Sequence, residues 1–297
     1  MGVQLPQRTT ARLKRGALIL VVGASLLLLG ACSEADKNNI RHLAFPGEDP
    51  RNATDRTHYI YDLWKWGWVA AMITGVIVWG LMFYVMARYR RRHDDEVPVQ
   101  TRYNLPLEIF YTFVPIVMVI VFFTQTVKAQ NGVLEPVDNP DHVVDVLGQK
   151  WNWTFNYSQE EIAQGKNVYE FGTPKGDPPT LVLPKGESVQ FNLHSQDVVH
   201  SFWITGFLMK LDVVPGRVNT FYLTPQQTGH FDGKCAELCG YLHSKMLFDV
   251  EVVEPEEYEK YLQSQIDAGY VSDEPLLGND DTTKVAGLDT GDEGGHE

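Results

Sequence analysis

Two thiols, an imidazole and a thioether fall within one twelve-residue stretch, Cys235-Ala236-Glu237-Leu238-Cys239-Gly240-Tyr241-Leu242-His243-Ser244-Lys245-Met246. A second imidazole, His200, lies 35 residues before Cys235. Thiolate and thioether are soft ligands, and Cys, His and Met together select copper over zinc, calcium or magnesium. One Cys with two His and a Met would make a mononuclear blue-copper site. Two Cys let two copper ions share both sulfurs, each with one terminal His, while Met246 and the backbone carbonyl of Glu237 act as weak further ligands. A site of that kind spreads one electron over two metals, so little reorganises on transfer. It suits electron relay and not bond-making. Other readings of the same residues stay open at this point. Cys235 and Cys239 could pair as a disulfide in an oxidising compartment. Zinc is a further candidate, although this spacing departs from the usual zinc patterns. A Cys-x3-Cys also occurs in thioredoxin-like copper chaperones, which lack a His and a Met four and seven residues past the second Cys.

Such ligands need a rigid frame, and the surrounding sequence reads as one. From about Asp141 to Val253 short β-like runs alternate with turn signals. The runs are 142–147, 151–157, 181–183, 188–193, 218–223 and 246–253, and Trp151, Trp153, Phe155 and Tyr157 recur at period two. Pro174-Lys175-Gly176, Pro184-Lys185-Gly186, Pro215-Gly216 and Thr228-Gly229 mark turns. This predicts an all-β Greek-key barrel or sandwich over 138–253. Residues 254–268 read as a short helix with Pro255 in its first turn.

Upstream the pattern is that of a membrane anchor. Residues 66–86 and 109–127 are uncharged runs of 21 and 19 residues, the second containing Pro115. Each is long enough to cross the ~30 Å hydrocarbon core as a helix. Trp64, Trp66 and Trp68 suit an interfacial belt, and Arg88 to Arg92 hold four arginines on the connecting loop. The positive-inside rule turns that loop to the cytoplasm, so 63–130 is a transmembrane hairpin and everything after Lys128 is extracytoplasmic. Residues 1–31 read as a signal peptide, with basic residues at 8, 12, 14 and 15 and an apolar run from Ala17 to Gly30. Leu29-Gly30-Ala31-Cys32 resembles a bacterial lipobox, with Cys32 lipidated as the mature N-terminus of an extracytoplasmic segment, 32–62.

The chain has 297 residues, 44% hydrophobic and 21% charged, with three cysteines. That excludes a disordered chain and a disulfide-dense scaffold. The net charge of −13 excludes nucleic-acid binding by bulk electrostatics. Residues 254–297 hold 13 acids and two lysines, so most of that charge belongs to the tail and does not describe a docking surface on the rest of the chain. Beyond about Gly269 the tail is rich in Gly, Asp and Thr and reads as disordered.

With these motifs in hand, the chain resembles subunit II of the cytochrome c oxidases, in the heme-copper oxidase family. The likeness runs from about Trp64 to Val253. It rests on the hairpin, Trp151-Asn152-Trp153, His200-Ser201-Phe202-Trp203, Leu211 to Arg217 and, most specifically, Cys235 to Met246. The resemblance implies a cupredoxin-like domain carrying the dinuclear CuA centre, with His200, Cys235, Glu237 through its carbonyl, Cys239, His243 and Met246 as ligands. It implies that the Glu237 side chain reaches a magnesium ion shared with subunit I. Trp151 matches the family's tryptophan at which electrons arrive, and Asp197 matches an acidic docking position for the donor. Lys150 departs from the family, where an uncharged residue is usual, and works against docking of a lysine-rich soluble cytochrome c. Glu108 matches the mouth of a proton channel into subunit I, or else is a first-turn acid favoured by the helix dipole. The partners implied are subunit I, which bears heme and CuB, subunit III, membrane lipid, and cytochrome c or a cytochrome c domain of a bc complex. The setting implied is the bacterial plasma membrane.

The function implied is transfer of electrons from cytochrome c to heme in subunit I, supporting oxygen reduction coupled to proton pumping. The chain would be the electron-accepting subunit of an oxidoreductase and not its oxygen-reducing centre, because neither uncharged run contains a histidine for heme. Quinol oxidase relatives keep the fold and lose the copper ligands, all of which are present here. Nitrous oxide reductase shares the copper motif but needs a large catalytic domain. A copper chaperone or copper-binding membrane lipoprotein is the alternative, and it leaves the hairpin and the aromatic Trp151 run unexplained.

Overall fold

A computed structural model describes residues 52–93, 97, 99–158, 160–172 and 176–278. The signal segment, Cys32, most of the turn at Pro174 and the tail from Asn279 lie outside the described residues.

Two long helices come first, α1 (Thr57–Arg88) and α2 (Leu105–Val133). Both are long and apolar enough to cross a membrane, and their apolar windows are unburied by the rest of the chain. At ~1.5 Å per residue each outruns a ~30 Å hydrocarbon core, so they extend past the uncharged runs at both sides. Asn104 caps α2, its side chain accepting from the Leu107 N–H at 3.3 Å. The two helices run antiparallel. The C-terminal end of α2 meets the start of α1, where Arg56 Nη1 donates to the Gly132 carbonyl at 2.6 Å.

The β domain follows as two packed sheets. The strands are β1 (His142–Gln149), β2 (Asn152–Ser158), β3 (Asn167–Phe171), β4 (Thr180–Pro184), β5 (Val189–Ser195), β6 (His200–Ile204), β7 (Met209–Val213), β8 (Asn219–Leu223), β9 (Gly229–Cys235), β10 (Leu247–Val253) and β11 (Val271–Ser272). One sheet has the order β11-β3-β2-β1-β5-β8, the other β4-β10-β9-β6-β7. All neighbours are antiparallel except β1 with β5 and β4 with β10. The mixed pairing closes a sandwich whose inner faces meet in an aromatic core. There Phe202 stacks on Phe248 and Phe191 on Phe221, each at 4.8 Å, with Trp153 and Phe155 edge-on to Phe202 and Phe248. Gly233 faces Phe248 across the β9–β10 ladder, and a Cβ there would fall 2.0 Å from the ring. A glycine is therefore what admits the Phe248 side chain to the core.

The expected strands are present, and five more appear, β3, β6, β7, β9 and β11. β3, β6 and β9 carry Asn, Glu, His, Asp, Gly or Lys at positions that break a clean alternation, whereas β7, Met-Lys-Leu-Asp-Val, does alternate and β11 is two residues long. Two corrections follow. Trp151 is not the first residue of an alternating run; it sits in the turn before β2. Every residue of β2 is buried, because its outer face carries Asn152, Thr154, Asn156 and Ser158 beneath a polar cover.

The second correction concerns the C-terminus. Helix α3 (Pro255–Ala268) packs Tyr258 and Leu262 into the core and ends at Gly269, whose φ of +86° closes it. Order does not stop there. Residues 270–278 continue along the outer face of the first sheet, β11 pairing with β3 and Asn156 gripping Leu276 at both N–H (2.7 Å) and carbonyl (3.2 Å).

The hairpin is tied to this domain by the residues before α1. Thr54 bridges Pro225, the Asp55 N–H donates to the Thr224 carbonyl at 3.0 Å, and the Thr224 N–H donates to Asp55 Oδ1 at 2.7 Å. Ala53 is 2% exposed and belongs to the sandwich core.

Candidate metal centre

The soft donors converge at one end of the sandwich. β6 starts at His200 and β9 ends at Cys235, and the two strands pair, so the residues 35 apart in sequence are adjacent in space. The stretch 236–246 then loops over that end and returns through a short 3-10 turn, 243–245, into β10. Gly240 has φ +122°, and a Cβ there would lie 3.2 Å from the Trp151 indole. It lets the loop fold back against that ring.

Cys235 and Cys239 are free, buried thiols with their sulfurs 3.8 Å apart. Cys235 Sγ lies 3.8 Å from His200 Nδ1 and 3.3 Å from the Glu237 carbonyl oxygen. Cys239 Sγ lies 3.6 Å from His243 Nδ1 and 3.8 Å from Met246 Sδ. The donor set therefore divides about the sulfur pair, with one imidazole beside each thiol. His200, Cys235 and Cys239 form a buried cluster that could hold a metal ion. Soft sulfurs, imidazole nitrogens and a thioether in one cluster fit copper, and among the described residues no carboxylate joins the His200, Cys235 and Cys239 group.

Hydrogen bonds set the ligand orientations. Asp197 Oδ1 accepts from His200 Nε2 at 2.8 Å. In the neutral form with its proton on Nε2, held by that carboxylate, the ring presents a lone pair on Nδ1 toward Cys235, which is the form a metal ion would need. Asp197 also accepts from the Lys150 N–H at 2.8 Å and the Val198 N–H at 2.6 Å. The Trp151 indole N–H donates to the Cys239 carbonyl, and the Trp153 indole N–H to the Met246 carbonyl, both at 3.3 Å. Both tryptophans thus pin the loop by ligand carbonyls.

Electrostatics favour one ionised sulfur before any metal binds. Burial opposes the Cys235 thiolate, but hydrogen bonds from His200 and from the Ser201 and Glu237 backbone outweigh it and bring the thiol down to about 6. Burial and then the Cys235 charge push Cys239 up to about 12. Burial likewise opposes the His200 imidazolium, yet Cys235 and Asp197 hold its pKa above the ordinary value. Cys235 and Cys239 would hold a metal cation as thiolates, and its charge would supply the stabilisation that both ionised sulfurs need.

The structure thus brings together His200, Cys235, Glu237, Cys239, His243, Met246 and Trp151. It puts Asp197 at the surface beside His200, with both carboxylate oxygens hydrogen-bonded within the chain. Glu237 presents an exposed side chain beside the loop. Glu108 lies far from this end, in the first turn of α2, where its Oε1 accepts from the Asn104 N–H at 2.9 Å and completes the cap. Sequence reading missed Asp197 as the partner of His200 and the grip of Trp153 on the Met246 carbonyl. An acid three residues before a candidate His ligand was the available signal for the first.

Comparison with known proteins places these observations. Residues 142–253 match the family described as cytochrome c oxidase subunit II, periplasmic domain. The chain is 44% identical over 246 residues to a probable cytochrome c oxidase subunit 2 of Streptomyces coelicolor, covering 72% of this chain and 77% of the relative. It is 31% identical over 318 residues to cytochrome c oxidase subunit 2 of Mycobacterium tuberculosis, covering 88% and 86%. Among solved structures it is similar to the periplasmic domain of subunit II of the Bradyrhizobium japonicum cytochrome oxidase, with 26% identity, a TM-score of 0.39, and coverage of 45% of this chain and 99% of that one.

Proposed function

The chain belongs to the cytochrome c oxidase subunit II family, and from that premise we propose that it is the subunit that receives electrons from a cytochrome c and relays them through a dinuclear copper centre to heme in subunit I. The single observation that carries this reading is the geometry of the donors: two free buried thiols 3.8 Å apart, each with an imidazole Nδ1 at 3.6 to 3.8 Å. When bound there, the coppers supply a one-electron centre spread over both sulfurs. The residues of this chain do the rest. Cys235, Cys239, His200 and His243 would hold the metals. Met246 and the Glu237 carbonyl are weak outer ligands. Asp197 fixes the His200 ring, and burial of both sulfurs excludes water, which keeps reorganisation small.

Trp151 is the residue at which electrons arrive, because its indole is half-exposed and hydrogen-bonded to the backbone of a ligand. The Glu237 side chain, next to a sulfur ligand yet exposed, supplies a hard oxygen for a magnesium ion shared with subunit I. Two helices able to cross a membrane seat the chain in the bacterial plasma membrane, with the copper domain outside and subunits I and III beside the hairpin. Oxygen reduction and proton pumping belong to the assembled oxidase. Glu108 lies at the cytoplasmic edge where a proton channel would begin, and Cys32 is the lipidation site.

Copper loading of the full-length chain in detergent tests this. Two coppers per chain with a mixed-valence EPR signal shared over both ions are expected. A single-copper signal, or zinc taken up in preference, would overturn the reading and favour a copper-handling lipoprotein.

A further inference from the structure

A second set of metal-ligating side chains stands apart from the thiols, on the outer face of the second sheet. β9 and β10 pair antiparallel there, with Asp232 opposite Asp249 and His230 opposite Glu251. Phe231, Gly233 and Cys235 turn inward from β9, and Phe248, Val250 and Val252 from β10. The period-two alternation therefore puts His230, Asp232, Asp249 and Glu251 together on the outer face. Donor atoms of His230, Asp232 and Asp249 all lie within 4.8 Å of one another, and His230 Nε2 is 3.4 Å from Asp249 Oδ1. Both strands are interior to their sheet, β10 between β4 and β9, and β9 between β10 and β6. The backbones that carry these three side chains are held on both sides, so the donors start from rigid elements.

Negative charge is left over at this place. Two carboxylates directly opposite in an antiparallel pair repel. Among the described residues no lysine or arginine forms an ion pair with Asp232, Asp249 or Glu251. Lys234, two residues from Asp232, lies instead over the Trp203 ring, 4.5 Å from its centroid. One imidazole, even protonated, does not balance three carboxylates. The donor chemistry selects the ion that would. One imidazole nitrogen and two carboxylates, with no sulfur, suit zinc and its divalent neighbours and not cuprous copper. The imidazole disfavours calcium and magnesium, which take oxygen ligands. Three protein ligands with the solvent side open is the arrangement in which zinc keeps a water. Zinc bonds of about 2.0–2.2 Å put donors up to about 4.4 Å apart, so small side-chain rotations close the set on one ion.

We propose that His230, Asp232 and Asp249 form a site for a zinc-class divalent cation on the outer face of the β9–β10 ladder. The position gives that ion a structural role. β9 ends at Cys235 and β10 begins directly after Met246, so the ladder is the stem of the loop 236–246. An ion there ties the two strands of the stem through their side chains and removes the repulsion between Asp232 and Asp249. The site is separate from the thiol pair, since Asp232 and Cys235 point to opposite faces of β9, and it does not depend on the copper reading.

The test uses the full-length chain in detergent, exposed to copper before zinc is added. Zinc uptake is measured by equilibrium dialysis and the thermal midpoint is followed against zinc, with magnesium as the control ion. One zinc per chain is expected, with a midpoint that rises with zinc and not with magnesium. His230→Gln and Asp249→Asn should each weaken this zinc about 100-fold, no less than loss of a ligand's own supporting partner costs, and flatten the midpoint response. Asp232→Asn should do the same, while its midpoint without zinc is no lower than that of the unchanged chain, because the substitution removes the cross-strand repulsion. That variant separates loss of a ligand from loss of the fold. Zinc bound equally by all three variants would overturn the site by placing the ion elsewhere on the chain. A magnesium response equal to that of zinc would overturn it by reducing the cluster to screened surface charge. Zinc lost in Cys239→Ser and kept in His230→Gln would assign it to the thiols and overturn the site as well.

Discussion

The two ends of the sandwich each hold a histidine against a carboxylate, His200 buried and His142 partly so, and they use it in opposite ways. At the metal end His200 commits one ring nitrogen to Asp197 and leaves the other facing a thiol. At the far end His142 commits both, Nδ1 to Glu160 at 2.9 Å and Nε2 to Glu187 at 2.7 Å. Glu160 also accepts from the Tyr258 hydroxyl at 2.9 Å, so this histidine sits in a clasp that holds α3 on the domain. The contrast shows what makes a histidine a ligand: a second nitrogen left without a proton acceptor and aimed at a soft donor. Where both nitrogens are engaged by carboxylates the same side chain is a structural tie.

The sharpest way to break this comparison is to remove a sulfur. Cys239→Ser should abolish two-copper binding, read as copper stoichiometry and loss of the mixed-valence signal, while the thermal midpoint of the apo chain changes little. At the other end Leu262→Ala, which empties a buried position of α3, should cost about 2–5 kcal/mol of stability in denaturant unfolding and leave copper uptake unchanged. Asp197→Ala should weaken copper about 10- to 100-fold in a competition titration, because the His200 ring loses its orienting acceptor, and Asp197→Asn should restore part of it.

The smallest effect concerns pH. Burial lowers the affinity of His142 for its proton, but Glu160 and Glu187 outweigh burial and raise its pKa above 6.5. The groups facing it are these two carboxylates and the Tyr258 hydroxyl, with Asp141 adjacent in the chain. A raised histidine pKa contributes stability that is complete below about 6.5 and is lost as pH rises through the folded value. Thermal unfolding of the apo chain should therefore show a decline on the alkaline side of 6.5 that His142→Gln removes. An unchanged pH profile in that variant would show that the clasp is not held by charge.

Legibility from sequence followed locality. Five of the six proposed copper ligands lie within one stretch, and the sixth was identifiable by type, so chemistry could be read before any fold. The hairpin was visible because apolar runs of that length have few other meanings. The β6–β9 pairing that brings His200 to Cys235 was hidden, since β9 reads Gly-His-Phe-Asp-Gly-Lys-Cys and its second glycine serves the Phe248 ring rather than any local pattern. The role of Asp197 was equally hidden, because an acid near a histidine reads as surface charge until the ring orientation is known. Residues 270–278 looked disordered by composition, yet Asn156 and β3 supply partners from more than a hundred residues away.

The attachment at Ala53–Arg56 sets the mechanics of the whole subunit. It grips the loop at Thr224–Pro225 just past β8, whose last residue pairs with Val189 at the start of β5, whereas the metal centre lies beyond the other end of β5 at Ser195. At about 3.3 Å per residue that strand is a lever some 20 Å long, with the pivot at the hairpin and the thiol pair, the proposed copper site, at the tip. Any rocking of the helices is magnified at the tip. The paired backbone at Asp55 and the Arg56 bond to Gly132 stiffen the pivot, and that stiffness governs how steadily the thiol end of the domain is held over the helices.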